Sequence, residues 1–284
     1  MKTVAIISKP DKPELAHLVP EVLSWFEQRG YRVWVDHETA SYTPGLPMVE
    51  RAEIADKKPD FVLVLGGDGT LLSAGRAVSP AGIPIMGVNL GSLGFLTEVP
   101  LSEMYDTLQA MDEKRCAFEK RAMVNCQLLR DGQCAAQYDA LNDAVVNKSA
   151  IARLVSFDLY LDQVFVSNYK ADGVIISTPT GSTAYALAAG GPILMPSVDA
   201  LVIVPVCPHS LTHRPLVVKD TMEITVVVKS AGEEAFLSID GQVGVPLNDE
   251  DRVICRKSRY STTLLRMRKT FFDVLRTKLK LGMR

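Results

Sequence analysis

Apolar residues along the first 118 positions keep two alternating rhythms. Short continuous runs have the length of strands: "TVAIIS" from Thr3, "YRVWVD" from Tyr31, "DFVLVLGG" from Asp60 and "IPIMGVN" from Ile83. Between them the spacing changes to that of helices. Leu15, Leu18, Val22, Leu23 and Phe26 recur through "PELAHLVPEVLSWFEQRG", with Gly30 as a stop and Pro20 expected to kink or divide the helix. "TLLSAGRAV" from Thr70 is helical. So is "LSEMYDTLQAMDEK", where Ser102 is the expected cap and Met104, Leu108 and Met111 form the apolar face. "DFVLVLGG" is apolar on both faces, as a strand covered by helices on two sides must be. Strands alternating with helices predict parallel βαβ units, hence an α/β, doubly wound N-terminal domain.

Past residue 118 the pattern changes. "LVSFDLYL" places Val155, Phe157, Leu159 and Leu161 on one face against Ser156, Asp158 and Tyr160 on the other. "MEITVVV", "EAFLSID" and "RVICRK" are further short β-rich runs, and "STAYALAAG" is the one plainly helical stretch among them. These rhythms set the expected organisation: an α/β domain over 1–118, a β-rich domain over 119–265, and a terminal helix over 266–284. In that tail Phe271, Phe272, Leu275 and Leu279 share a face, bordered by Arg276, Lys278 and Lys280. A basic amphipathic membrane anchor has this look. A docked terminal helix with a solvated basic face fits a short segment of a slightly acidic protein better.

Composition narrows the class. The 284 residues are 47% hydrophobic and 23% charged, enough for a sizeable core. A net charge of −2 argues against a general nucleic-acid binder. The five cysteines include no C-x-x-C pair, so reduced thiols are expected rather than a disulfide framework or a zinc site. No apolar run suits a signal sequence or a membrane span, and the sequon at Asn147 is therefore read as chance. A cytoplasmic protein is the expectation.

Three glycine clusters carry the candidate chemistry. "GGDGT", Gly66 to Thr70, closes an apolar strand and opens a helix, the place where an α/β fold binds phosphate. It matches neither a Walker A loop nor G-x-G-x-x-G. A carboxylate there repels phosphate unless it holds a bridging Mg²⁺ or takes a proton from an attacking hydroxyl. The competing interpretation is that Asp68 simply caps the helix. "GVNLGSLGFLTE", from Gly87, ends the next strand on the same rim. "STPTGSTAYALAAGGP" offers hydroxyls and glycine ahead of a helix, with Tyr185 available to stack on a base. Asn142-Asp143 could read a hydroxyl pair or an adenine edge, or be a polar turn. Asp240-Gly241 has the form of a hairpin turn. His209 and His213 have metal-ligand spacing, but Pro208 and Pro215 make the helix this needs improbable, so no metal ligands are assigned.

Taken in order, Gly66–Thr70, Gly87–Leu96, Asn142-Asp143, Ala171–Pro192 and Asp240-Gly241 make the chain resemble the NAD kinases, of the bacterial ATP-NAD kinase type. The first motif is shared with lipid kinases and phosphofructokinases; the segment around Thr178–Tyr185 with "GGP", together with "GSLGFL", is far more specific. The resemblance implies a Rossmann-like N-terminal domain, a β-rich C-terminal domain, a cleft between them, a tail that packs back, and a homodimer or homotetramer. It implies that the γ-phosphoryl group of ATP passes to the 2′-hydroxyl of the adenosine ribose of NAD, helped by a divalent metal cation such as Mg²⁺. Asp68 matches the proton acceptor. Gly69, Asn142 and Asp143 match dinucleotide contacts, as do Arg153, Lys170, Asp172, Thr183, Ala184, Tyr185, Ala186, Leu187, Ala188 and Gln242. Family members differ at the positions of Arg153 and Gln242. A lipid kinase sharing the first motif and a non-catalytic dinucleotide sensor are the alternatives.

Overall fold

The computed structural model describes residues 2–91, 93–149, 155–266 and 270–280. The chain divides into two compact units, one formed by Met1–Lys120 with Ser261–Arg284, the other by Arg121–Tyr260. The first unit begins with β1 (Lys2–Ser8), α1 (Leu15–Glu27), β2 (Tyr31–Val35), α2 (His37–Ala40), β3 (Phe61–Gly66) and α3 (Asp68–Val78). It continues through β4 (Ile85–Asn89), β5 (Val99–Pro100) and α4 (Met104–Asp112).

Strands β1 to β5 run parallel, in the order β5-β4-β3-β1-β2. From β1 the chain steps to β2 on one side and then crosses to β3 on the other. The carboxyl ends of β1 and β3 therefore flank the switch point where open α/β sheets bind ligands. Every residue of β3 is buried, as its unbroken apolar run requires. Each of its Val and Leu side chains contributes roughly 1.5–3 kcal/mol by leaving water. Helix α3 is tied down at its middle: Arg51 donates to Ser73 Oγ at 3.0 Å and to the buried carboxylate of Asp36.

The second unit contains β6 (Ala117–Arg130), β7 (Gln133–Ala140), β8 (Asp143–Lys148), β9 (Val155–Leu161), β10 (Val164–Ala171) and β11 (Gly173–Ser177). After the short α5 (Tyr185–Ala188) come β12 (Ala200–Val206), β13 (Leu216–Lys219), β14 (Ile224–Lys229), β15 (Ala235–Ile239), β16 (Val243–Leu247) and the long β17 (Arg252–Arg266). Six of these strands form an antiparallel sheet in the order β13-β12-β11-β8-β15-β16. A second run, β10-β9-β14-β17, is also antiparallel. Phe157 and Leu159 point from β9 into a core shared with Val174, Ile203, Val226 and Leu237, as the alternating pattern predicts. The last strand ends in the first unit, where Leu264 lies beside Ile85, and α6 (Phe271–Leu279) completes that unit.

Four local expectations are corrected. Pro20 does not divide α1, which runs unbroken from Leu15 to Glu27 with Pro20 on its exposed face. Ser102 caps nothing, because Leu101–Glu103 forms a tight 3₁₀ turn and α4 starts after it. The helix expected over 184–189 is present but is only a single four-residue turn, Tyr185–Ala188, preceded by a 3₁₀ turn at Gly181–Thr183. In α6 the buried residues are Val274 and Leu275, while Phe272 is half-exposed, so the apolar face is rotated from that expected. No helix among the described residues is long and apolar enough to cross a membrane.

Candidate active site

In the first unit, β1, β3 and β4 all deliver their carboxyl ends to one cavity of about 270 Å³. Lys9 and Lys12 follow β1. Gly66, Gly67 and Asp68 follow β3. Asn89, Leu90, Gly91 and Gly94 follow β4, and Lys278 arrives from α6. Two of these glycines are required by their neighbours. A Cβ on Gly66 would lie 2.5 Å from Thr70 Oγ1, and one on Gly94 would lie 2.0 Å from Asp68 Oδ1.

Asp68 is the first residue of α3, but the helix cap is Gly67 and makes no side-chain bond. The capping interpretation of Asp68 is thus replaced. Its carboxylate instead holds the loop after β4. Oδ1 accepts from Leu96 N at 3.1 Å, Thr97 N at 3.0 Å and Thr97 Oγ1 at 2.9 Å. Oδ2 accepts only from Phe95 N among the described residues, at 2.8 Å. Asn89 supports the same loop, donating to Thr97 Oγ1 at 2.9 Å and accepting from Gly91 N at 2.6 Å. Asp68 is therefore oriented by four donors and keeps most of its remaining acceptor capacity on Oδ2. Gly69 follows it, exposed in the first turn of α3.

The second unit gathers another set of residues. Asp143 opens β8, paired with Ser177 at the end of β11, while Ala144 beside it pairs with Ile239 at the end of β15. Asp240 and Gly241 both have positive φ and turn β15 into β16, as the hairpin interpretation requires. The Asp240 carboxylate also reaches Leu141 N at 3.2 Å, Asn142 N at 2.7 Å and Asp143 N at 3.2 Å. Thr178 clamps the same segment from the other side, donating its hydroxyl to the Leu141 carbonyl at 2.6 Å and its NH to the Asn142 carbonyl at 2.9 Å. Gly181 packs against that carbonyl so closely that a Cβ would lie 2.1 Å away. The backbone of Asn142 is thus fully engaged, and its side-chain amide has no partner among the described residues.

Burial pushes the Asp143 carboxyl up to about 7, and the neighbouring Asp240 charge pushes the same way. Tyr185 is 44% exposed; burial raises its phenol, followed by the charges of Cys207, Asp172 and Asp143, so its hydroxyl lies near those groups. Asp172 pairs with Lys148 at 3.3 Å, and Lys170 is exposed at the end of β10. Thr183 turns its hydroxyl to the Thr180 carbonyl at 3.2 Å. Ala184 and Leu187 are half-buried, and Ala188 is exposed. The Ala186 side chain is core, packed with Ile175 and Val204, so only its backbone could meet a ligand. Gln242 is exposed beside the Asp240 turn. Arg153 lies outside the described residues. His209 and His213 are not on a helix, and His213 packs edge-on against Tyr169.

Sequence reasoning missed Lys9, Lys12 and Lys278, and the roles of Thr97, Thr178 and Asp240 as ties. A run of lysines separated by more than two hundred positions leaves no spacing signal.

Residues 4–116 match the ATP-NAD kinase N-terminal domain and residues 141–267 match the ATP-NAD kinase C-terminal domain. The chain belongs to the NAD kinase family. The NAD kinase of Koribacter versatilis is 61% identical over 284 residues, covering all of both chains. That of Acidobacterium capsulatum is 51% identical, again over both full lengths. Among solved structures, yeast NADH kinase complexed with NADH superposes with a TM-score of 0.87 at 26% identity, covering 100% of this chain and 89% of the other. An NAD kinase from Archaeoglobus fulgidus in complex with ATP gives a TM-score of 0.78 at 25% identity, covering 99% and 100%. The lipid-kinase alternative rested on the first glycine motif alone. It gives way because the β-rich half of the chain also matches the NAD kinase family.

Proposed function

We propose that this enzyme transfers the γ-phosphoryl group of ATP to the 2′-hydroxyl of the adenosine ribose of NAD, giving NADP and ADP. The observation that carries this reading is the setting of Asp68: an oriented carboxylate with acceptor capacity on Oδ2, at the mouth of β3, in a glycine-floored cavity lined by lysines. The relatives named NAD kinase and the neighbour solved with ATP support it.

In this mechanism the ribose oxygen forms the new bond to the γ-phosphorus. The bond from that phosphorus to the β–γ bridging oxygen breaks, and ADP leaves with its electron pair. The 2′-hydroxyl proton passes to Asp68 Oδ2. The four donors on the carboxylate prevent it from turning away, so the proton acceptor is positioned before the substrate arrives. Gly66, Gly67 and Gly91 leave room for phosphate oxygens to approach the backbone. Asn142, whose side-chain amide has no partner among the described residues, and Asp143, able to accept or donate near neutral pH, suit the hydroxyls and base edge of a dinucleotide. Tyr185 offers a half-exposed ring for stacking.

A divalent cation would be held here by the donor phosphates together with at most a carboxylate such as Asp68. Among the described residues no group of three His, Cys, Asp or Glu side chains is placed to hold a metal, and Asp68 is the one carboxylate lining the cavity. When bound, Mg²⁺ would offset charge on the transferring group. The family resemblance further suggests a cytoplasmic homodimer or homotetramer, which light scattering of the purified protein tests.

The deciding experiment mixes purified protein with NAD, ATP and Mg²⁺ and follows NADP with an NADP-specific dehydrogenase. NADP formation that requires Asp68 is expected. Tight NAD binding without any NADP would instead identify a dinucleotide sensor.

A further inference from the structure

Beyond the proton acceptor, the cavity carries a charge pattern of its own. Three lysines from two distant parts of the chain line it, against one carboxylate. Lys12 sits 3.8 Å from Glu14. Lys9 and Lys278 have no ion-pair partner among the described residues. Both side chains are exposed, so an anion entering above the glycine floor would meet two ammonium groups not engaged elsewhere among the described residues. The Lys9 backbone is pinned, its NH bonded to the Leu65 carbonyl at 2.9 Å, so the stem starts at a fixed point beside Gly66. Lys278 lies in the last turn of α6, where the helix dipole favours a cation. Its ammonium is 6.0 Å from the centre of the Phe95 ring. Phe95 in turn donates its NH to Asp68 Oδ2. α6 thus brings a cation to the loop that orients the acceptor carboxylate.

We infer that Lys278, together with Lys9 from the same cavity lining, binds the phosphate chain of the donor nucleotide, making the C-terminal helix part of the donor site. The inference rests on the phosphoryl-transfer reading above. It assigns the donor phosphates, rather than the dinucleotide, to this lysine pair. Recognition through ammonium groups reads charge and not the base, so inorganic tripolyphosphate should occupy the same place.

The test compares wild type with Lys278→Met, which keeps the apolar stem over Phe95 and removes the charge, and with Lys278→Arg, which restores it. KM for ATP should rise about 10- to 100-fold in Lys278→Met, the range for losing a hydrogen bond to a charged group. KM for NAD should stay within about twofold, since in this assignment the lysine does not touch the dinucleotide. Inhibition by inorganic tripolyphosphate should weaken in parallel, and Lys278→Arg should recover most of both effects. A lysine that only staples α6 to the loop would lower the melting temperature of Lys278→Met and leave tripolyphosphate inhibition unchanged. That result, or an unchanged KM for ATP in an active enzyme, overturns the inference. A wild-type protein that makes no NADP overturns the underlying function instead, and the two failures are told apart by that single control.

Discussion

Asp240 and Asp143 hold each other by reciprocal bonds. The Asp240 carboxylate accepts the Asp143 NH at 3.2 Å, and the Asp240 NH donates to the Asp143 carbonyl at 2.9 Å. The same closeness sets two carboxyl groups side by side in a buried place, with Asp143 pushed up to about 7. In the unfolded chain its carboxyl returns to its ordinary acidic value. Between those two values the folded protein holds a proton that the unfolded chain has released. Stability from this group is therefore fully present at low pH and is lost as pH rises through about 7. Urea unfolding at pH 5 and pH 8 should show wild type losing at most about 2–3 kcal/mol relative to Asp143→Asn. Parallel pH profiles for the two proteins would remove the burial argument.

Asp68→Asn should cost more than a proton acceptor. An amide nitrogen placed at either oxygen position faces an NH that needs an acceptor, at Phe95 on one side or Leu96 and Thr97 on the other. Turnover should fall about 10²–10⁴-fold from the missing base. Unfolding stability should fall by about 1–3 kcal/mol from the unmatched loop donors. Steady-state kinetics and chemical denaturation check the two parts. Lost turnover with full stability would mean that the loop finds other acceptors.

Much of the fold around these residues was legible in the sequence. β3 is a continuous apolar run because helices cover it, and Asp240-Gly241 turned a hairpin as its residue types demand. Ser102 misses its role because a 3₁₀ turn shifts the start of α4, and the capping alternative for Asp68 gives way to a more distant partner, which local rules do not register. For Asp68 that partner is Phe95 to Thr97, and for Asp240 it is a segment nearly a hundred positions earlier. Of the long strands, β17 was only partly visible and β6 was not seen, because their faces mix charged and apolar residues without strict alternation. Lys278 looked like one more charge on a solvated helix face. Its meaning depends on where α6 docks, which the packing of Val274 and Leu275 decides.

Two glycines in the cavity should respond differently to a methyl group. Gly94→Ala places carbon 2.0 Å from Asp68 Oδ1 and must displace the carboxylate or the loop. Gly67→Ala meets no atom within 4 Å and sits at an ordinary negative φ. Gly94→Ala should lower turnover about as much as losing the base, 10²-fold or more, whereas the melting temperature of Gly67→Ala should match wild type. Equal melting temperatures and rates for both variants would show that the loop yields freely.

Asn142 offers a cleaner separation of binding from folding. Its backbone is engaged by Asp240 and Thr178, while its amide has no partner among the described residues. Asn142→Ala should change stability by no more than about 0.5 kcal/mol. If the amide meets the dinucleotide, NAD affinity in calorimetry should drop by about 1–3 kcal/mol. Unchanged affinity would return the residue to a turn.

The order in which these pieces leave the ribosome follows from how the first unit is divided along the chain. Its strands β1 to β5 are made early, yet α6 lies beyond the whole of the second unit. At ~5–20 residues per second, roughly ten to thirty seconds of synthesis separate residue 120 from residue 278. During that interval the nascent chain carries Asp68 and its loop with Lys278 still unmade. The second unit, continuous in sequence, can close on itself in the meantime. The cavity at the ends of β1, β3 and β4 is therefore the last part of the first unit to be assembled at birth, and a chain truncated by even a dozen residues would emerge with strands β1 to β5 whole and this cavity missing a wall.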